Sequence, residues 1–493
     1  MNSFGSKARS AVIWNTGFNL FRDLLQFGTM LVLVRILKPE SYGEFAMVTS
    51  VMGFLSIFSH NNFIAHILQV KDEADARYQE HFTASSLIQV CIFLITNMVA
   101  LALYWVPTYA PIAPFLHVMS IAFLLEWPCE LRRKMIEREF DWKRLRLLQA
   151  IGLIAGALLA LAMAWAGAGT YTLLVPGMLV TLPFIYDLFI IEKWRPTWSW
   201  SWDQYRPAWR FGLTRLGSGL AINIKQLMES GVLVAILGFA MLGVFGRAIG
   251  LAQMFCQRIA TQLMYSIYPI LTRINEREGD PARVGGLVLR MVAWTAVPIA
   301  VVFAALAEPV VRVVYGKNWA DVTPLLPWAM AWGVLSAVTH ATYMLLLARH
   351  QTRLCLYADL GILFGTCVAL ALALPHGLIA YIGSVCGFQI ITTGVLTIWL
   401  KQFRALSLPG IFYAFIPPLI AGLIAWGALH LFVTNTYDRG EFSVPISVVW
   451  GASFSLLYMV ILRIGFSRQL AELANYLPAS KSINRFLALK NPT

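Results

Sequence analysis

The chain has 493 residues, 58% of them hydrophobic and only 13% charged, with a mean hydropathy of +0.67. So little polar surface cannot coat a soluble globule of this size, which excludes a water-soluble enzyme or binding domain and makes lipid the solvent. The net charge of +13 would suit nucleic acid only if the cations gathered on one folded soluble face, and no such region exists.

Fourteen apolar stretches are predicted to cross the membrane, at 11–34, 41–68, 82–106, 111–131, 147–166, 170–191, 210–236, 240–271, 285–307, 323–348, 354–374, 377–399, 410–433 and 443–465. Most have about the twenty residues that span a ~30 Å hydrocarbon core. They lack period-two alternation, so the backbone satisfies itself as helices and not as a barrel. The expected fold is all-α and polytopic. Lys7 and Arg9 precede the first stretch, which runs on without a small-residue cleavage site, so no cleavable signal peptide is expected.

Span one carries Asn15, Asn19, Arg22, Gln26 and Thr29, all within about 40° of Asn15 on a helical wheel, with Asp23 beside Arg22. A helix facing lipid would not carry such a stripe. Span two has Thr49, Gly53, Ser56 and His60 on one face, then Asn61 and Asn62. After span four, ELRRKMIEREFDWKRLR (Glu130 to Arg146) reads mostly as a solvated basic face meeting anionic headgroups. The stretch Trp194 to Trp209 holds five tryptophans, with Pro196 and Pro207 forbidding a continuous helix, and reads as an interfacial linker between two halves.

Shifting the chain by 200 residues aligns Asn15–Met47 with Arg215–Arg247, matching Gly17, Leu20, Gln26, Val32, Leu33, Val34, Ile36, Leu37, Gly43 and Phe45. The copies begin at spans one and seven, an even offset, which implies parallel repeats about an axis along the membrane normal; transporters with that symmetry bind substrate between the halves. Gly43 and Gly243, at the starts of spans two and eight, would permit tight packing or hinge motion. Span seven holds Arg215, Lys225 and Glu229, the last two spaced to pair. Span eight holds Arg247 and Arg258, about 20° apart on the wheel, with Met254, Thr261 and Tyr265 on that side.

Charge orients the chain. Of 38 lysines and arginines, the gaps on one side carry only Arg35, Lys38, Arg312, Lys317 and Arg439. The excess on the other side puts both termini in the cytoplasm. The outer loops are short, the longest being Glu308 to Asp321. Cys91, Cys129, Cys256, Cys355, Cys367 and Cys386 lie in or beside spans at no metal-ligand spacing and read as small apolar side chains.

Each intramembrane charge has a plain alternative: Arg22–Asp23 as a clasp, Lys225–Glu229 as a structural pair, Arg215 and Arg258 snorkelling, His60 as a packing residue. Together, though, the cations Arg22, Arg215, Lys225, Arg247 and Arg258 outnumber the acids Asp23 and Glu229. A buried charge costs at least a few kcal/mol without a partner or water, so an anionic ligand is the economical account, Arg forks suiting phosphate oxygens. No GxxxxGK[ST] loop is present, and no clustered His, Cys or carboxylate triad suggests catalytic or metal chemistry. These residues favour a carrier over an enzyme.

Five segments in order resemble the polysaccharide transporter family of Wzx-type lipid-linked oligosaccharide flippases, in the superfamily with MATE exporters and lipid II flippases. They are VRILKPESYGEFAMVTSVMGFLSIFS, LRRKMIEREFDWKRL, WRPTWSW, GRAIGLAQ with YPILTRI, and VYGKNWADVTPLL; the likeness covers about the first 400 residues. It implies two six-helix lobes in parallel pseudo-repeat plus two extra helices: an N-lobe at 1–195, a C-lobe at 196–400, spans thirteen and fourteen at 401–466, and a cytoplasmic amphipathic tail at 467–493. It further implies an inner-membrane flippase moving an undecaprenyl-pyrophosphate-linked oligosaccharide outward by alternating access, with Arg22 and Asp23 as cavity charges. From the helical reading, Arg215, Lys225, Arg247 and Arg258 join Arg22 in meeting the headgroup. Asn15, Asn19, Asp23, Gln26, His60 and Glu229 are the polar lining. A groove at spans thirteen and fourteen is expected for the lipid tail by analogy. No cofactor is expected; a coupling proton or sodium ion would use Asp23, Glu229 or Glu126. Membrane lipids, a polymerase and export machinery are the expected partners. The rivals are a MATE-like small-molecule exporter, whose cavity should be acidic or aromatic, and a membrane-embedded polymerase or ligase.

Overall fold

The computed structural model describes residues 2–70, 76–258, 261–262, 281–402, 408–436 and 444–474. Two compact units are formed, Met1–Gly243 and Val244–Thr493.

In the first unit, α1 (Asn2–Ile36) is followed by α2 (Pro39–Ser56), which starts with Pro39 at its first turn, where a missing N–H costs nothing. Span two then bends by 53° between α2 and Asn61–Leu68, the latter opening as α3 (Asn61–Ile64). Next come α4 (Tyr78–Leu103), α5 (Ala113–Glu139) and α6 (Trp142–Trp165). Short turns α7 (Tyr171–Leu174) and α8 (Leu182–Tyr186) make up span six with the segments between and after them. Helix α9 (Trp202–Ala252) carries span seven and the first part of span eight, interrupted at Gly238, whose φ of 82° only glycine adopts freely.

The faces that pack are those with small residues. Gly152, Gly156, Ala160 and Ala164 of α6 are buried at four-residue spacing, and a Cβ on Gly156 would stand 2.8 Å from the Pro176 carbonyl oxygen. Lipid supplies no hydrophobic drive between helices, so close backbone approach of this kind holds them together. Outward faces carry bare apolar side chains, among them Leu24, Met98 and Leu158. Span hydroxyls turn back onto their own helix, as Thr29 does to the Leu25 carbonyl (2.8 Å) and Thr96 to Ile92 (2.7 Å).

In the second unit, α10 (Pro281–Ala305) leads through α11 (Ala307–Val314) to α12 (Leu326–Ala348), α13 (Thr352–Leu372) and α14 (Leu378–Gln402). Helices α15 (Leu408–Thr436) and α16 (Val444–Gly465) and the short α17 (Ser467–Ala474) complete it. Helix α10 packs on α12 and α15, and Trp294 of α10 donates to the Tyr413 carbonyl (3.0 Å). A wholly apolar cavity of about 530 Å³ opens among α10, α12 and α15, lined by Val297, Val301, Val334, Val338, Leu419 and Trp426.

By length and hydropathy, nine helices among the described residues qualify as crossings, ten with the bent pair. All fourteen predicted stretches fall at least partly on helix there. Two expectations change. Pro207 lies inside α9, whose start at Trp202 puts the proline in its second turn, so only Pro196 sits in extended chain. The run Glu130 to Arg146 is no solvated face: α5 continues through Glu139, Phe140 turns left-handed, and Asp141 caps α6 by accepting from the Arg144 N–H (3.1 Å). Arg133 pairs with Glu130, Lys134 with Glu137 at 2.6 Å, and Arg132 is buried.

Candidate functional site

Span one packs against α6, and its polar stripe meets that helix at Asn15. Arg146, one turn into α6, donates through Nε to Asn15 Oδ1 (2.7 Å) and through Nη1 to Gln149 (2.5 Å), and its guanidinium lies 5.1 Å from the centre of the Phe18 ring. Two turns further along α1, Arg22 donates through Nε to Asp23 Oδ1 (3.1 Å), both side chains about 30% exposed. Arg22 and Arg146 sit on helices that pack against each other, and both are half-buried. Asn19, between them in sequence, is half-buried and Gln26 is exposed. The composition of the basic run had hidden Arg146; the signal was its place on the first turn of a span whose i+3 neighbour, Gln149, is polar.

Elsewhere in the first unit, Lys225 Nζ meets Glu229 Oε2 at 3.2 Å, as their spacing implies. The side chain of Arg215 lies outside the described residues. His60 is 1% exposed, in hydrogen-bond contact with Ser85 and Tyr205. Glu126 accepts from Asn61 Nδ2 at 2.7 Å.

Helix α2 is matched along its length against α9. A Cβ on Gly43 would overlap the Phe239 carbonyl, and one on Gly243 would overlap the Pro39 carbonyl. These contacts exchange under the 200-residue shift that relates the repeats, 39 answering 239 and 43 answering 243. The two glycines are therefore places of backbone contact. Ser50 and Ser230 share a hydrogen bond (2.8 Å) and Tyr109 donates to the Gly231 carbonyl (2.9 Å) in the same half of the span; at the other end His60 reaches Tyr205 (3.0 Å).

In the second unit, Arg247 and Arg258 are half-buried, with the Tyr315 hydroxyl donating to the Arg247 carbonyl (3.0 Å); Arg258 follows a π turn at Gln253–Gln257. Thr261 is half-buried on the same helix and Tyr265 lies outside the described residues.

The sequence profile described as "Polysaccharide biosynthesis protein" matches residues 32–324. The succinoglycan biosynthesis transport protein ExoT of Rhizobium meliloti (strain 1021) is 24% identical over 316 residues, 63% of this chain and 63% of its own. The teichuronic acid biosynthesis protein TuaB of Bacillus subtilis (strain 168) is 23% identical over 55% of this chain and 56% of its own. The lipopolysaccharide biosynthesis protein WzxC of Escherichia coli (strain K12) is 22% identical over 70% and 71%. These alignments thus span between half and three-quarters of each relative's length. Among solved structures, the lipid II flippase MurJ in an inward closed conformation superposes with a TM-score of 0.69 at 13% identity, covering 93% of this chain and 99% of that one. An inward-facing multidrug resistance MATE transporter gives 0.59 at 15% identity, over 78% and 94%. With more than half of its length matched by the profile and its helices arranged in the fold of MurJ and the MATE transporters, this chain belongs to the polysaccharide biosynthesis protein family of multi-pass membrane proteins.

Proposed function

We propose that this protein is a flippase that carries a lipid-pyrophosphate-linked oligosaccharide repeat unit outward across the bacterial inner membrane, for exopolysaccharide, capsule or O-antigen assembly, with both termini in the cytoplasm. The observation that carries the reading is that Arg22 and Arg146 stand half-buried on two helices that pack together, α1 and α6. Two guanidiniums, one bonded to the Asn15 amide oxygen and the other to the Asp23 carboxylate, suit a dianionic ligand. A diphosphate displaces Asp23 from Arg22 and accepts from both forks, while Asn15 and Asn19 meet sugar hydroxyls. Lys225, Arg247 and Arg258 are further candidates for meeting the headgroup. The names of the relatives, which concern succinoglycan transport and lipopolysaccharide biosynthesis, support a glycan cargo.

The isoprenoid tail stays in lipid while the headgroup crosses. The lobes exchange access around the headgroup by alternating access, driven by a coupling ion.

Arg22→Ala abolishes polymer export while protein abundance in the membrane stays normal; normal export from that variant removes Arg22 from the site. Purified protein binds an undecaprenyl-pyrophosphate glycan in preference to a cationic dye, and the reverse preference makes it a MATE-like exporter. Product formed from that glycan in detergent, with no second compartment, makes it a polymerase or ligase.

A further inference from the structure

Span two bends where His60 and Asn61 sit, and each is tied to a titratable group on another helix. Asn61 is held by Glu126 of α5. His60 is held by Ser85 and His81 of α4 and by Tyr205 of α9: His60 Nε2 lies 3.0 Å from the Tyr205 hydroxyl and 3.4 Å from His81 Nδ1, while Nδ1 contacts the Ser85 hydroxyl. His60, His81, Ser85 and Tyr205 are each at most 2% exposed. The rings close the gap: His81 meets Tyr205 edge-on at 5.3 Å, and Phe63 stacks on Trp209 at 4.9 Å. Gly212 of α9 has no room for a Cβ, because the Phe63 ring fills that space.

The hydrogens fit one neutral arrangement. Ser85 gives its proton to the His81 carbonyl (2.5 Å), so its oxygen accepts from His60 Nδ1–H. His60 Nε2 is then an acceptor for the Tyr205 O–H, an assignment drawn from the network. Burial pushes the Tyr205 phenol up from its ordinary value, keeping it a donor. A proton added at Nε2 turns that acceptor into a donor facing a donor, so the Tyr205 bond must invert or break.

Among the described residues, the charged and titratable groups around the joint do not offset such a proton directly. On α4, His66 of span two faces His81 with ring centres 6.3 Å apart, and Arg77 pairs with Glu80 at 3.9 Å. On α5, Glu126 reaches the joint only through Asn61, with Glu130 and Arg133 close by, and Arg138 donates to the Ile67 carbonyl. On α9, Asp203, Arg206 and Arg210 are exposed. A cation confined there has lost its hydration, which opening to water restores.

We propose that the His60–His81 pair is a proton-binding site that latches span two to the start of α9, and that proton uptake releases the latch at the end the charge pattern assigns to the cytoplasm. This rests on the alternating-access reading, in which releasing one end of span two changes the side of access. Closed, the cluster excludes the proton; open, it accepts one. Acid therefore favours opening.

Hydrogen–deuterium exchange on the purified full-length protein tests this without any glycan, so the outcome is separable from that of the transport assays. After correction for the intrinsic pH dependence of amide exchange, residues 57–68 and 202–212 should exchange roughly tenfold faster at about pH 5.5 than at about pH 7.5, one tenfold step being one pH unit of linkage. Tyr205→Phe should raise exchange at about pH 7.5 and keep the acid response, and His60→Gln with His81→Gln should abolish that response. Exchange in the unaltered protein that ignores pH overturns the proposal. So does a response that survives the double substitution, or one lost in Glu126→Gln, which would put the proton on the carboxylate. If the double variant fails to fold, the unaltered protein, Tyr205→Phe and Glu126→Gln still decide between these outcomes.

Discussion

Two arginine sites in the first unit use the same chemical groups to opposite ends. At the base of α5 and α6, Arg132 gives Nε to Asp187 (2.5 Å) and Nη2 to Glu192 (2.7 Å), and Arg144 gives Nη2 to Asp187 (2.8 Å) and Nη1 to Glu192 (2.6 Å). Arg132 and Asp187 are 3% and 2% exposed, and two cations there meet two carboxylates. At α1, Arg22 has one bond to the residue next to it in sequence and is ten times as exposed. Burial with saturated partners makes a brace; partial exposure with a weak, local partner leaves a guanidinium that a ligand can take.

The comparison breaks most visibly at Asp187. Asp187→Ala leaves Arg132 buried and deprived of a main partner, which should destabilise the folded protein by about 3–5 kcal/mol, read as loss of the monodisperse peak in detergent chromatography; replacing Arg132 and Asp187 together by Met and Leu should recover most of it. Next, Arg146→Ala should weaken binding of a soluble diphosphate-linked sugar by roughly ten- to a hundredfold, the range of about 1.5–3 kcal/mol for a hydrogen bond to a charged group, with the melting temperature nearly unchanged. A stability loss as large as that of Asp187→Ala would make Arg146 a brace as well. Smaller still, Lys225→Met with Glu229→Gln should change stability by about 1 kcal/mol or less, as partly exposed i, i+4 pairs do, measured by thermal melting. Least of all, Asp23→Asn should leave stability within about 0.5 kcal/mol and tighten diphosphate binding, since it removes the carboxylate that competes for Arg22; weakened binding would mean Asp23 orients the arginine.

Much of the architecture was readable because lipid imposes a simple rule. A run of about twenty apolar residues has to be a helix there, and the helices stand where the runs are. The glycines at 43 and 243 were readable as tight points because they recur at the repeat offset, and the contacts at both are reciprocal. The Lys225–Glu229 pair followed from spacing alone. Less could be seen of the site. Arg22 and Asp23 are sequence neighbours, so their bond needed no fold, whereas Arg146 reaches Asn15 across 131 positions. His60 read as one polar residue on a stripe; its contacts with Ser85, His81 and Tyr205 come from two other helices.

Sequence alone determined the solvent, the helical class and the candidate crossing segments, because each depends on local hydropathy summed over one helix. Tertiary structure decided what each charge in the basic run does. Arg132 is buried against Asp187, Arg133 pairs along its own helix, and Arg146 turns to span one. The last of these depends on the left-handed turn at Phe140, which ends α5 and places Arg146 on α6. Composition is blind to that turn, since a charge's energy in lipid is set by what lies within a few ångströms of it and not by how many charges stand beside it in sequence.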